Sequence, residues 1–575
     1  MRMPRLLAYL FTVASIGLSA CSSGSSDRST DAATTPITIS REPVAPVPLS
    51  ERSRSAARLA ATATFGVDDR VVTDILAAPD HAAWIDAQIA LPASLHLPYT
   101  EANSNGSNGR ARHEIWWQHA ITAPDQLRQR VAFAWSQIFV VSDLDYTLSN
   151  SQYGMASFQD LLVTHAFGTY RELLEAVTLH PVMGIYLSML RNEKADEARN
   201  VRPDENYARE VLQLFSIGLH ELEPDGRALP ASSPRPAYTQ AVVQDFARVF
   251  TGWNFAGTDQ WQSVDMTPFE KRVPMVPNET YHDTGSKTLL RAEVIPAGLD
   301  ARADLEAALD NIAGHPNVGP FIGTRLIERL VTSNPSPAYV QRVAAVFDDD
   351  GQGVRGNLAA VTRAILLDPE ASNPVDGGKL KEPVLRLSHL MRALDATPGA
   401  RSNGVYNGAA RSADRVDEVY GQGIMRSPSV FNFFQPDAPL SSSVRRGDDD
   451  LRVAPEAQIM TESFVALANN DLHELVYDHH SRSDADDDTV VLDVEKPLRL
   501  LADSDQALVD WVELVVLGGH ENPMLRAELM DHIASLTPSV EPDVDTVATR
   551  PPEIALAIVL DTLFLGVASP DHYVQ

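Results

Sequence analysis

The chain has 575 residues, of which 44% are hydrophobic, 22% charged and 7% aromatic, and its formal net charge is −30. This is ordinary globular composition; it excludes a collagen, a coiled coil or a wholly disordered chain, and the length allows roughly three to four domain equivalents. The acidic excess argues against nucleic acid, because phosphates repel carboxylates and binding needs clustered Lys and Arg.

The first segment carries Arg2 and Arg5, then an apolar stretch over residues 6–18, then Leu18-Ser19-Ala20-Cys21 in the form of a bacterial lipobox. The apolar stretch is too short to span a bilayer, which takes about 20 residues. Residues 1–20 therefore predict a lipoprotein signal peptide, with Cys21 as the lipidated first residue of the mature chain. The plainer alternative is an ordinary signal peptide with a chance cysteine. Cys21 is the only cysteine, so once it carries lipid, disulfides and cysteine catalysis are excluded. Ser22, rather than Asp, follows the lipid site, which resembles lipoproteins sorted to the outer membrane of diderm bacteria. The expected location is thus the cell envelope, outer membrane side, with the membrane as partner through Cys21. Residues 21–51 are rich in Ser, Thr, Pro, Ala and Asp and predict a disordered tether reaching about 30 Å. No later stretch is apolar enough to cross a bilayer: the run over 554–567 is interrupted by Asp561.

From residue 52 onward apolar residues recur at helical spacing. Helices are predicted over 56–65, 71–76, 84–89, 115–121, 127–141, 158–163 and 170–190. The pattern resumes over 305–312, 318–331, 339–347, 358–367, 384–394, 458–468, 507–516, 524–533 and 554–565. Short hairpins are predicted near 220–229 and 286–295. Pro224-Asp225-Gly226 is a turn signal, since Pro presets its own φ and Gly supplies a positive one. Residues 399–414, 441–450 and 478–488 are polar and predict loops. With no internal repeat and no clean linker after residue 50, the expected fold is mainly α: a single large multi-helix domain over 52–575 with a few short β-hairpins.

Familiar catalytic strings are absent. There is no G-x-S-x-G elbow and no Walker A lysine, and His113-Glu114 begins a zincin-like string that Trp117 ends. Gly351-Gln352-Gly353-Val354-Arg355-Gly356 matches a dinucleotide fingerprint in form only. It follows a helical pattern, and Asp348, Asp349 and Asp350 beside it would repel a pyrophosphate. Ala359 stands where an EF-hand needs its bidentate Glu. A glycine-rich turn between helices is the better reading. His479-His480 with the acidic run at 484–488 is read as a solvated loop rather than a metal grip.

The informative residues lie between 203 and 290. Residues 203–218 predict one helix with Asp204 at its N-cap and Gly218 just past its end. Tyr207, Val211, Leu214 and Phe215 share an apolar face; Asn206, Glu210 and Gln213 form an adjacent polar stripe, and Glu205 and Arg209 lie beyond it. A second helix over 239–251 ends in Gly252-Trp253 and carries Asp245 and Arg248 at its edge. His282-Asp283-Thr284-Gly285-Ser286-Lys287 follows as a polar turn.

These blocks resemble those of the bacterial domain-of-unknown-function 1800 family, whose pattern reads N-E-N-Y-A-R-E, then A-R-x-F-T-G-W, then H-D with a following Lys. Asp204 replaces the usual Asn and caps equally well. Further similar segments are Leu179-His180-Pro181-Val182-Met183, Lys381-Glu382-Pro383, Pro428-Ser429-Val430-Phe431-Asn432-Phe433-Phe434 and Ala568-Ser569-Pro570. The resemblance covers nearly all of 52–575. It implies secretion and a largely helical fold, but no reaction. It also implies a partner in the neighbouring domain-of-unknown-function 1501 family, which resembles phosphatases and sulfatases.

Two readings of the blocks stand side by side. In the first they form the pocket of an envelope hydrolase acting on anionic esters or polymers. Glu205, Asp245 and His282 would hold a divalent metal. Glu210, His282 and Asp283 would supply acid–base catalysis. Arg209, Arg248 and Lys287, with Asn206 and Trp253, would bind substrate. In the second, the same residues are structural: Glu205–Arg209 is a helical ion pair, Glu210 pairs with Arg248, and Trp253 and Tyr207 are core aromatics. The chain is then a non-catalytic lipoprotein that binds a glycan or scaffolds its partner. An open pocket lined by Glu210, Arg248 and His282 favours the hydrolase. Burial with every partner satisfied, together with an exposed apolar or aromatic patch elsewhere, favours the binding protein.

Overall fold

The computed structural model describes residues 45–575 apart from residues 105, 107–108, 259, 262–269, 373–377, 399–415, 440–451, 481–489 and 537–549. The predicted signal peptide, Cys21 and the tether up to residue 44 lie outside the described residues, as do the polar segments at 399–414 and 441–450 and most of 478–488. Helices make up 56% of the structure, and the strands pair only as two-residue ladders, so the fold is mainly α as expected.

The first helix, Glu51–Ala63, begins where the tether composition stops. Ser50 caps it in a reciprocal box with Ser53, which satisfies backbone donors that would otherwise face the tether. The far end of the chain returns to it: the Gln575 amide donates to the Ala61 and Leu330 carbonyls. Between these points runs one continuous apolar cluster, from Ala56 to Val567. At its centre lies Pro383–Ala393, a helix buried along its whole length. Arg392 meets Asp68 at 2.8 Å and the Gly66 carbonyl, while Arg386 lies over the Tyr573 ring.

Three expectations are refined. The predicted helix over 170–190 breaks into Tyr170–Leu179 and Pro181–Tyr186. His180 takes φ −73°, ψ 127°, because a residue before proline is driven out of the α region. The helix over 507–516 widens into a π-turn at Val512–Val516. The carbonyls of Val515 and Val516 there accept from His389 Nε2 and His572 Nδ1, whereas a regular helix would use them itself. The helix expected over 203–218 is regular only over Asn206–Gln213, after which Ile217 and Gly218 both donate back to the Leu212 carbonyl.

The hairpins fall where turn chemistry put them. Leu222 bridges Ala228 around Pro224-Asp225-Gly226, and Lys287–Thr288 pairs with Val294–Ile295. The G-x-G-x-x-G string is a turn between Pro337–Asp348 and Leu358–Leu367. Asp349 and Asp350 there accept backbone donors of the turn itself. Among the described residues no helix is long and apolar enough to cross a membrane.

Candidate functional site

The signature blocks meet, but they meet as a closed structure. The helix Gln240–Val249, capped by Thr239, brings Arg248 against the polar turn. The Arg248 guanidinium grips Asp283 with Nε and Nη2, at 2.9 and 3.0 Å, and Asp245 with Nη1 at 2.7 Å. The remaining Asp245 oxygen accepts from the Thr288 amide, and Asp283 accepts from Gly285. Burial works to raise the Asp283 carboxyl, but Arg248 and the Gly285 amide outweigh it and hold it below the usual range. Glu210 is therefore not the partner of Arg248, whose donors go to the two aspartates and the Ser286 carbonyl.

His282 is 0% exposed. Its Nδ1 lies 3.0 Å from the Thr251 carbonyl and its Nε2 3.1 Å from Asp304 Oδ2. Lys287, equally buried, donates to the same Asp304 oxygen and to the Asp283 and Gly285 carbonyls. Asp304 stands in the first turn of Ala301–Ala313, where the positive end of the helix favours a carboxylate.

The T-G-W string is shaped by contact with this turn. Gly252 has φ +86°, and a Cβ there would sit 2.9 Å from His282 Cβ and 3.0 Å from two backbone atoms. Asn192 ties the blocks together. Its side chain bonds the Asp204 backbone in both directions, and its carbonyl accepts from Gly252.

The other sequence-chosen residues are scattered. Glu205 pairs with Arg209 at 3.0 Å near the surface, and both share Gln240. Asn206 is exposed. Trp253 is buried with its indole N–H unpartnered. Glu210 is buried, its Oε2 has no partner, and burial pushes its carboxyl up against the pull of Arg209. Glu205, Asp245 and His282 are not gathered for a metal. Among the described residues no group of three His, Cys, Asp or Glu is placed to hold one, because Asp245 and His282 are already spent on Arg248, Thr288, Thr251 and Asp304.

An open space lies at the C-terminal end of the signature helix, Asn206–Gln213. A cavity of about 500 Å³ is lined by Gln137, Gln213, His220, Arg325, Arg329 and Phe431, among others. Asn317 builds its wall by donating to the Ile217 and His220 carbonyls and accepting from the Leu222 amide. Phe321, Arg325 and Arg329 line up at i, i+4 and i+8 on Val318–Leu330. Arg329 is 3% exposed, and its guanidinium lies 4.7 Å from the Phe434 ring centroid. Its Nε has no hydrogen-bond partner. Beneath the cavity Gln137 and Gln422 donate to Glu382, and Lys379 lies 3.3 Å from both Glu382 and Glu456. Burial works to raise Glu382, yet Lys379, Arg130 and Arg329 hold it below the usual carboxylate range.

Sequence reading missed Asp304, Arg325 and Arg329. For the arginines a signal was present, a cationic pair spaced i, i+4 on a mostly apolar helix with a single acid, Glu328. For Asp304 there was none, since an acid in a first turn is common on exposed helices.

A family model described as a protein of unknown function, DUF1800, matches residues 58–571. The chain belongs to this family. The match spans the signature blocks, the buried Pro383–Ala393 helix and the cavity, so all three are parts of one family unit. No curated protein and no solved structure matches the chain.

Proposed function

We propose that this member of the family is a non-catalytic envelope lipoprotein. It is tethered through Cys21 and binds a glycan-type ligand in the cavity beside the signature helix, working alongside a phosphatase- or sulfatase-like partner. One observation carries the reading. His282, an acid–base candidate, and Lys287, a substrate-binding one, are closed to solvent and bonded to Asp304, while the cavity opens beside Phe431 and Leu219, which are 48% and 51% exposed. A group with no access to substrate cannot exchange protons with it, and an exposed aromatic at a cavity mouth is a binding feature.

The test pairs two assays on the purified protein: retention on immobilised envelope glycans, and release of product from phosphate, sulfate and glycosyl esters. Retention without turnover is expected. Turnover abolished by His282→Asn in a variant that still folds would overturn the reading. The anchor is tested separately: Cys21→Ser is expected to move the protein from the membrane fraction to the soluble one.

Hydrolysis of an anionic ester is the second reading, and Glu328 favours it. Burial pushes its carboxyl up, and it sits 2.8 Å from Arg325, which lines the cavity. Burial that favours the neutral carboxyl is the direction a proton donor to a leaving group needs, although Arg325 and Arg329 work against it.

A further inference from the structure

We propose that the cavity grips the oxyanion of an acidic glycan, a carboxylate or sulfate ester group, through Arg325 and Arg329. This rests on the binding reading above and names its ligand class. Arg329 lines the cavity almost wholly buried, and its guanidinium donates no hydrogen bond among the described residues. Buried donors are nearly always satisfied, and a guanidinium fork is matched best by two oxygens of one anion. The Phe434 face holds the fork in place, so little side-chain freedom is lost on binding. Arg325, one turn earlier, has Nε and Nη1 without a hydrogen-bond partner; it lies beside Glu328 and over the Phe321 ring.

Unpartnered donors outnumber unpartnered acceptors here: Arg329 Nε with Nε and Nη1 of both Arg325 and Arg130 stand against Gln137 Oε1, Glu328 Oε2 and Glu456 Oε1. Glu382 is taken by Gln137, Gln422 and Lys379, and Glu456 accepts from Ser333. Arg130, behind Arg329, spends one nitrogen on the Arg329 carbonyl and leaves Nε and Nη1 without acceptors. The layer therefore holds more buried donors than acceptors, and an anion supplies the difference. Asp437, the carboxylate among the lining residues, is exposed at the mouth, where solvent and salt screen it.

The rest of the lining selects a sugar over other anions. Phe431 and Leu219 give an apolar platform for the face of a pyranose ring. The amides of Gln137, Gln213 and Gln435 surround the space, and the buried Oε1 of Gln137 has no donor, so hydroxyl groups find both donors and acceptors.

The experiment is calorimetric titration of the purified full chain with four probes. These are hexagalacturonate, its fully methyl-esterified form, a sulfated hexasaccharide, and inorganic sulfate or phosphate alone. At least one charged hexasaccharide is expected to bind at least tenfold more tightly than the methyl ester and than the inorganic ions. Arg325→Ala is expected to weaken that binding at least tenfold in a protein that circular dichroism shows still folds, and Arg325→Lys, which keeps the charge beside Glu328, to weaken it too with a smaller loss of melting temperature. Arg329→Lys, which keeps the charge and loses the fork, should weaken it as well. Equal affinity for the methyl ester, or wild-type affinity in Arg325→Ala, overturns the anion grip and leaves glycan binding standing. Inorganic ions binding as tightly as the oligosaccharides overturns the glycan assignment. No binding by any hexasaccharide overturns both this inference and the binding reading beneath it.

Discussion

Replacing Asp304 by Ala tests whether the signature cluster is a structural lock. The carboxylate is buried and serves two groups at once, His282 at 3.1 Å and Lys287 at 2.5 Å. Its loss strands a buried ammonium that keeps only the Asp283 and Gly285 carbonyls, and it removes the acceptor facing His282 Nε2. Breaking a buried ion pair from one side costs about 3–5 kcal/mol. Restoring neutrality with the double variant Asp304→Ala, Lys287→Met, compared with each single variant, should recover most of that loss, leaving about 1–3 kcal/mol for the unsatisfied imidazole. Urea unfolding followed by circular dichroism gives both numbers, provided the denaturant slope is unchanged. The pairwise coupling should exceed about 1 kcal/mol. A single-variant loss under about 1 kcal/mol, or strictly additive effects in the double variant, would refute the lock and return His282 and Lys287 to the list of chemically available groups.

Other outcomes follow from the same geometry. Burial pushes Lys381, which lies 2.9 Å from His389 Nδ1, down to about 7. Between that value and its unfolded one near 10.5 the unfolded chain binds the extra proton, so stability rises with pH across this window; Lys381→Met should flatten that rise in melting temperature measured from pH 7 to 10. Glu210 is raised by burial, so its ionised form disfavours folding above about pH 4.5. Glu210→Gln should therefore melt higher than wild type at pH 7, and the gap should close by pH 4; a lower melting point at pH 7 would mean that the ionised carboxylate has a stabilising partner. Gly252→Ala should cost more than about 1 kcal/mol, because the positive φ resists a Cβ and the nearest atoms include backbone. Tyr207→Phe should cost about 1 kcal/mol in urea titration through loss of its 2.6 Å bond to Thr178.

The elements of this fold were written locally. Helical spacing located Gln240–Val249 and Val318–Leu330 within a few residues, because one apolar stripe every 3.6 residues is enough to bury a helix face. Turn chemistry placed the hairpin at Pro224-Asp225-Gly226, and the three signature blocks carry the family resemblance without any tertiary contact. Pairing was not local. Arg248 selects Asp283, 35 residues away, over Glu210, and His282 and Lys287 converge on Asp304, an acid that no spacing rule distinguishes from a solvated one. The lock and the cavity both depend on which helices lie side by side, and that is decided by closure of the whole core from Ala56 to Val567. A charge is legible in sequence as a residue type; whether it is spent on a neighbour or left facing a cavity is a property of the assembled chain, since burial and partner geometry set its cost.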